Sequence, residues 1–264
     1  MSDAQLRALA PAPGLHTADL FVIANVAVPE DLTPLDRAAG SVAERIIHLV
    51  LALPSEQRGH IHRLVEQLPQ EPRTQEGPLK KPLRRVYDLE TAGFGAMLVT
   101  MLCSNRNLHS TMAAAKTVAM MTSGDMYLSA ATYPSIGSGR AELHPRWVAS
   151  LAMVLGIAAG DLAAITGTEL DESLVREDPV STETAELLWK LRRVSAAQAI
   201  HVHEQASPCS FPSPKAPRLT SGTASSTPGT SGGAHPGNGE SPGNRRAGGV
   251  RGDPRGAALV AASA

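Results

Sequence analysis

Residues 94–167 read FGAMLVTMLCSNRNLHSTMAAAKTVAMMTSGDMYLSAATYPSIGSGRAELHPRWVASLAMVLGIAAGDLAAITG, and this stretch decides the fold. It holds few charges and many alanines, cut into short apolar repeats by glycine, proline and serine. Phe94, Met97, Leu98, Met101 and Leu102 recur at steps of three and one, which places them on one helix face. Ser110 is suited to cap STMAAAKTVAMM, which Gly124 ends. Ser129 is read as the cap of SAATYPSIG, a short helix closed by Gly137 and Gly139. Pro145 fits the first position of PRWVASLAMVLG, whose inner stripe is Val148, Leu151, Ala152 and Leu155. A last short helix, AAGDLAAITG, turns Leu162 and Ile165 inward and has Gly167 past its end.

Upstream, SVAERIIHLVLAL (41–53) repeats Val42, Ile46, Leu49, Val50 and Leu53 on one face, with Ser41 and Glu44 spaced as a capping box and Pro54 as a stop. SEQRGHIHRLVEQL (55–68) follows with Ile61, Leu64, Val65 and Leu68, so the two read as a helical hairpin. TADLFVIANVAVPE (17–30) fits either a short helix capped by Thr17 or a buried strand, and periodicity does not decide between them. Proline, glutamine and charge then replace the apolar pattern, which marks a linker carrying the basic cluster Lys80, Lys81, Arg84 and Arg85. That cluster is either a solvated linker or an arm that contacts phosphates.

Downstream, an acidic spacer precedes STETAELLWKLRRVSAAQAIHVHEQA (181–206), two capped helices with Ser195 and Gln198 as a second capping box. Leu188, Trp189, Leu191 and Ile200 would pack on the preceding helices or on a second copy. From residue 207 the chain is dominated by Ser, Pro, Gly and Thr without a period, and disorder is expected. Its RGD at 251–253 is a short match in low-complexity sequence. The expected organisation is an N-terminal helical region (1–69), a linker with the basic cluster (70–93), the patterned unit (94–167), the acidic spacer with C-terminal helices (168–206) and a disordered tail (207–264).

Of 264 residues, 42% are hydrophobic but only 3% aromatic, which allows one modest core built on aliphatic side chains. The net charge of −1 divides into −2 for 1–93, +1 for 94–167, −4 for 168–180, 0 for 181–206 and +4 for 207–264. No segment read as folded is strongly basic, so long-range steering to nucleic acid would be weak outside local clusters. Cys103 and Cys209 are far apart and lack ligand spacing. The longest apolar run, LFVIANVAV (20–28), is too short to cross a bilayer, and a cytoplasmic location without membrane contact is expected.

Chemistry finds little support in the pattern. His60 and His62, like His201 and His203, stand two apart on helices and face different ways, whereas helical metal sites favour a spacing of four. GSGRAEL from Gly137 is too short for a phosphate cradle, and Asp171 and Glu172 lie in a spacer with no apolar pocket to shift their pKa. No metal, cofactor or enzymatic activity is expected.

The five helices of 94–167 resemble the phage-repressor and Cro type of helix-turn-helix DNA-binding domain. The likeness is best at YLSAATYPSIGSG (127–139), which follows that family's recognition-helix pattern through Ser129, Tyr133, Ile136 and Gly139. WVASLAMVLGIAAGDLAAITG (147–167) resembles its closing helix pair. GFGAMLV, NRNL and YLSAAT resemble bacterial transcriptional regulators with this domain in mid-chain. The implied fold is all-α, a five-helix Cro/repressor-like domain flanked by helical segments and a disordered tail. The implied partner is double-stranded DNA, with a homodimer reading paired half-sites.

By position, the resemblance implies that Ser129, Ala130, Thr132 and Ser135 face DNA, with Thr132 and Ser135 hydrogen-bonding bases or phosphates and Ala130 touching a thymine methyl. Tyr133 falls in the same stretch, but its ring is read as core. Ser110, Thr111, Ser138 and Arg140 would contact phosphates. Three features depart from the pattern. Pro134 sits inside the expected recognition helix, where it should distort a turn. The connection before Ser129 exceeds the usual three or four residues. The third helix carries no Arg, Lys, Asn or Gln for bidentate base contacts. Two functions follow: a sequence-specific transcriptional regulator, or a helical adaptor that keeps the fold and binds a protein.

Overall fold

The computed structural model describes residues 1–9, 15–73, 87, 89–108, 110–176 and 178–207, all within the unit Met1–Pro214. Among these residues every regular element is helical. The basic cluster Lys80, Lys81, Arg84 and Arg85 lies outside the described residues, as do Cys209 and the expected tail beyond Ser207.

The first helices are α1 (Asp3–Leu9) and α2 (Thr17–Ile23), so the open reading of 17–30 resolves to a helix. Thr17 is its first helical residue rather than its cap; His16 precedes it with extended backbone and makes no capping bond. Asn25, at φ 53°, turns the chain out of the helix. A 3-10 turn at Glu30–Leu32 leads to the hairpin α3 (Gly40–Ala52) and α4 (Ser55–Gln67), joined through Pro54. The capping box expected at Ser41 and Glu44 does not form. Helix α3 starts at Gly40, two residues earlier than a Ser41 cap implies, and the Ser41 hydroxyl donates to Ala38 O. Tertiary packing sets that start, because a Cβ on Gly40 would lie 1.9 Å from Asn107 O.

Helix α5 (Leu89–Thr100) bends at Gly93, where φ is 58°, and passes into a π-helical turn at Met101–Asn105. Met97, Leu98, Met101 and Leu102 are buried as their spacing predicts, but Phe94 is 47% exposed. The left-handed backbone at Gly93 redirects the chain immediately before Phe94 and takes it off the shared face. The remaining helices are α6 (Thr111–Met121), α7 (Thr132–Gly137), α8 (Pro145–Leu155), α9 (Ala159–Thr166), α10 (Pro179–Lys190) and α11 (Ala196–Ala206). Pro145 occupies the first turn of α8, and Gly156 and Gly167 take left-handed conformations after α8 and α9. Ser195 and Gln198 form the full capping box of α11.

One apolar core runs through α2 to α11. Helix α3 packs on α11 and α6, α5 on α7, and α8 on α9, α10 and α6. The inner stripe of α8, Val148, Leu151, Ala152 and Leu155, is fully enclosed, as are Leu188 and Leu191. Ile200 instead points to solvent at 48% exposure, because α11 buries the face of Ala199, Val202 and Ala206. Among the described residues no helix is long and apolar enough to cross a membrane.

Candidate nucleic-acid interface

Helix α6 begins as its sequence dictates: the Ser110 hydroxyl accepts a hydrogen bond from Ala113 N at 3.0 Å, satisfying a free amide of the first turn. Ala113, Ala114 and Ala115 are buried, and their small side chains admit α3 and α8 to close range. After Met121 the chain turns through Ser123 (φ 52°) and Gly124 (φ 85°).

Helix α7 starts two residues later than its sequence suggests. Ser129 is not its cap; Ala130 and Ala131 form a turn and the helix runs from Thr132. The Ser129 hydroxyl meets the Thr132 hydroxyl at 3.0 Å instead of an amide. This late start removes the conflict expected at Pro134. As the third residue of the helix, it occupies a position whose amide has no intrahelical acceptor in any case, so proline costs no bond there.

Tyr133, Ile136 and Gly137 form the buried face of α7. Ile136 lies against α5 at Gly95, where a Cβ would come within 2.3 Å of Ile136 O. A Cβ on Gly137 would meet the Tyr87 ring at 2.7 Å. The Tyr133 ring is in the core, its hydroxyl buried without a hydrogen-bond partner among the described residues, and burial pushes its phenol pKa up.

The opposite face carries the expected contact residues. Thr132, Ser135 and Ser138 are partly exposed, and Ser129 and Arg140 are exposed. Ser135 donates to Ala131 O at 3.4 Å and Ser138 to Pro134 O at 2.8 Å, while Arg140 Nε donates to Ser138 Oγ at 3.0 Å. Ser129, Ala130, Thr132, Ser135, Ser138 and Arg140 thus share one short segment. Ser110 and Thr111 stand apart from it, at the start of α6.

Cations around this segment are mostly paired. Lys116 lies 3.2 Å from Glu44, and Arg146 and Arg176 both reach Asp125. Arg140 makes no ion pair among the described residues. Two apolar groups escape the sequence reading: Met112 on α6 is 54% exposed and Tyr127, between α6 and α7, is 83% exposed. Period counting placed neither, since Tyr127 belongs to no helix and Met112 lies off the inner stripe.

Sequence reasoning also missed the buried polar knot behind this region. Asp19 accepts from Arg106 Nη1 at 2.6 Å and from Asn105 Nδ2 at 2.7 Å, and Arg106 Nη2 donates to Leu155 O at the end of α8. The Arg106 guanidinium lies 4.8 Å from the Trp189 ring, whose neighbours are the stacked His16 ring at 3.6 Å and the Arg192 guanidinium at 3.7 Å. The polar run NRNL between two apolar helices is its sequence signal, but the partner Asp19 is 87 residues away. Comparison of the chain with family models, with curated proteins and with solved structures finds no match.

Proposed function

We propose that this chain is a sequence-specific DNA-binding transcriptional regulator of bacterial type, in which α5 to α9 act as a five-helix Cro/repressor-like domain and α6 and α7 as its helix-turn-helix. The observation that carries this reading is the division of α7. Its Tyr133, Ile136 and Gly137 side is anchored on α5, and its other side offers the hydroxyls of Thr132 and Ser135 beside Ser138 and Arg140, which makes no ion pair among the described residues. Short side chains let the helix backbone approach base edges, and hydroxyls accept from or donate to either bases or phosphates. A homodimer would supply two such faces for paired half-sites.

A second reading, a protein-binding adaptor, is favoured by the exposure of Tyr127 and Met112 and by the paired cations nearby. Selection of the full-length chain against random duplex DNA at low and moderate salt separates the two. Enrichment of a defined sequence, abolished by Thr132→Glu with Ser135→Glu, supports the regulator. Absence of salt-sensitive binding by the folded protein overturns it and favours the adaptor.

A further inference from the structure

We propose that the cleft between the start of α2 and the end of α10 binds a small organic or inorganic anion through a carboxylate or phosphate group. The cleft measures about 530 Å³ and is bounded by four segments: residues 15–18, residues 31–35, the chain after α4 at residues 70–73, and residues 189–193. That volume lies within the range of small-molecule sites.

Its charge is the argument. Arg73, Arg192 and Arg193 line the cleft, and none of them forms an ion pair among the described residues. Arg73 donates to the carbonyls of Asp31, Thr33 and Pro34 and to the Thr33 hydroxyl, which fixes the rim; Asp31 feels its charge but gives its carboxylate hydrogen bonds to Arg7. Arg193 donates only to the neutral Gln70 side chain. Arg192 is the strongest element. It is 7% exposed, donates Nη2 to Leu32 O, rests on the Trp189 ring, and holds a buried Nε–H with no acceptor among the described residues.

Two acids line the same cleft, and neither cancels this excess. Asp31 is engaged with Arg7 by two hydrogen bonds of 2.9 Å, and Glu71 lies on the half-exposed rim. The buried Asp19 is taken by Arg106. Burial first, then the neighbouring Arg106, lowers the Arg192 pKa to about 10 against an opposing pull from Asp19, as expected of a desolvated cation among other cations. A largely buried guanidinium in the cleft wall, beside two further guanidiniums without an ion pair among the described residues, is the arrangement that planar oxyanions complement. The indole faces are already covered by His16 and the arginines, so recognition falls on the charged group rather than on ring stacking.

The test titrates the full-length protein with inorganic phosphate and, separately, with succinate at constant ionic strength, reading heat by calorimetry and tryptophan fluorescence. Saturable binding with Kd at or below about 1 mM is expected in at least one arm, equivalent to roughly 4 kcal/mol. Phosphate alone or succinate alone would identify the headgroup. Arg193→Gln, at an exposed position, should weaken binding about tenfold, and Arg192→Gln, if folded by circular dichroism, should abolish it. No saturable binding of either anion overturns the proposal. So does affinity that Arg193→Gln leaves unchanged.

Discussion

Arg106 and Asp19 form an ion pair with both side chains wholly shielded from water, Nη1 lying 2.6 Å from Oδ1 and 2.7 Å from Oδ2. Because Arg106 also holds Leu155 O and approaches Trp189, one guanidinium ties α2 to the end of α8 and to α10. Either Asp19→Asn or Arg106→Met strands a buried polar or charged group and should lower unfolding free energy in urea by about 3–5 kcal/mol. The double variant Asp19→Leu with Arg106→Met should recover most of that loss. Additive losses in the double variant would refute the assignment of the cost to an unpaired charge.

Histidine burial predicts acid sensitivity well above the carboxylate range. Burial first, then the Arg106 charge, lowers the His16 pKa to about 4 from an ordinary 6.5, and burial also lowers His62. The unfolded chain therefore binds protons that the folded chain refuses, so stability is complete above about pH 6.5 and declines as pH falls toward 4. Thermal unfolding across that window should show the decline. His16→Phe, which keeps a ring against Trp189 without a titrating group, should flatten it.

The seat of α7 depends on a missing side chain. Gly95→Ala places a methyl within hard contact of Ile136 O, so α7 or α5 must move. A loss of about 1–3 kcal/mol is expected. Chemical denaturation measures it, and tryptophan-independent amide exchange of residues 132–137 should rise along with it.

Capping gives a smaller, local effect. Removing the Ser110 hydroxyl in Ser110→Ala frees Ala113 N and should cost about 1 kcal/mol. A Ser110→Asp variant, which restores an acceptor, should return to within a few tenths of the original stability in the same denaturation experiment.

If α7 meets DNA, Arg140→Ala should weaken binding uniformly across sequences and reduce the slope of log affinity against log salt by about 1. Thr132→Ala should instead alter preference at one base position. Fluorescence anisotropy with selected and scrambled duplexes at several salt concentrations reads both. An unchanged salt slope in Arg140→Ala would remove that residue from the interface.

Local rules that act within a few residues were legible in the sequence. Ser110, Pro145, Gly167 and the Ser195–Gln198 box all act where spacing and backbone preference place them, because each suits its own helix end. The periodic stripe of α8 is likewise buried, as are Leu188 and Leu191, since an amphipathic helix has one face to hide. Of the candidate contact residues, those on and around α7 were named in advance, but their geometry was misjudged at Ser129 and Pro134 because the helix starts at Thr132.

Tertiary structure decided what depends on contacts between distant residues. The start of α3 is set by Gly40 against Asn107, the direction of Phe94 by the bend at Gly93, and the exposure of Ile200 by the face α11 turns to α3. No period marks Arg106 and Asp19 as partners, nor gathers Arg73, Arg192 and Arg193 around one cleft. The sequence by itself determined that the described chain is helical and where most helices end, because those outcomes follow from local hydrogen bonding and one-sided burial. Pairing of charges and formation of the cleft awaited the fold, because electrostatic and packing energies depend on distance in space and not along the chain.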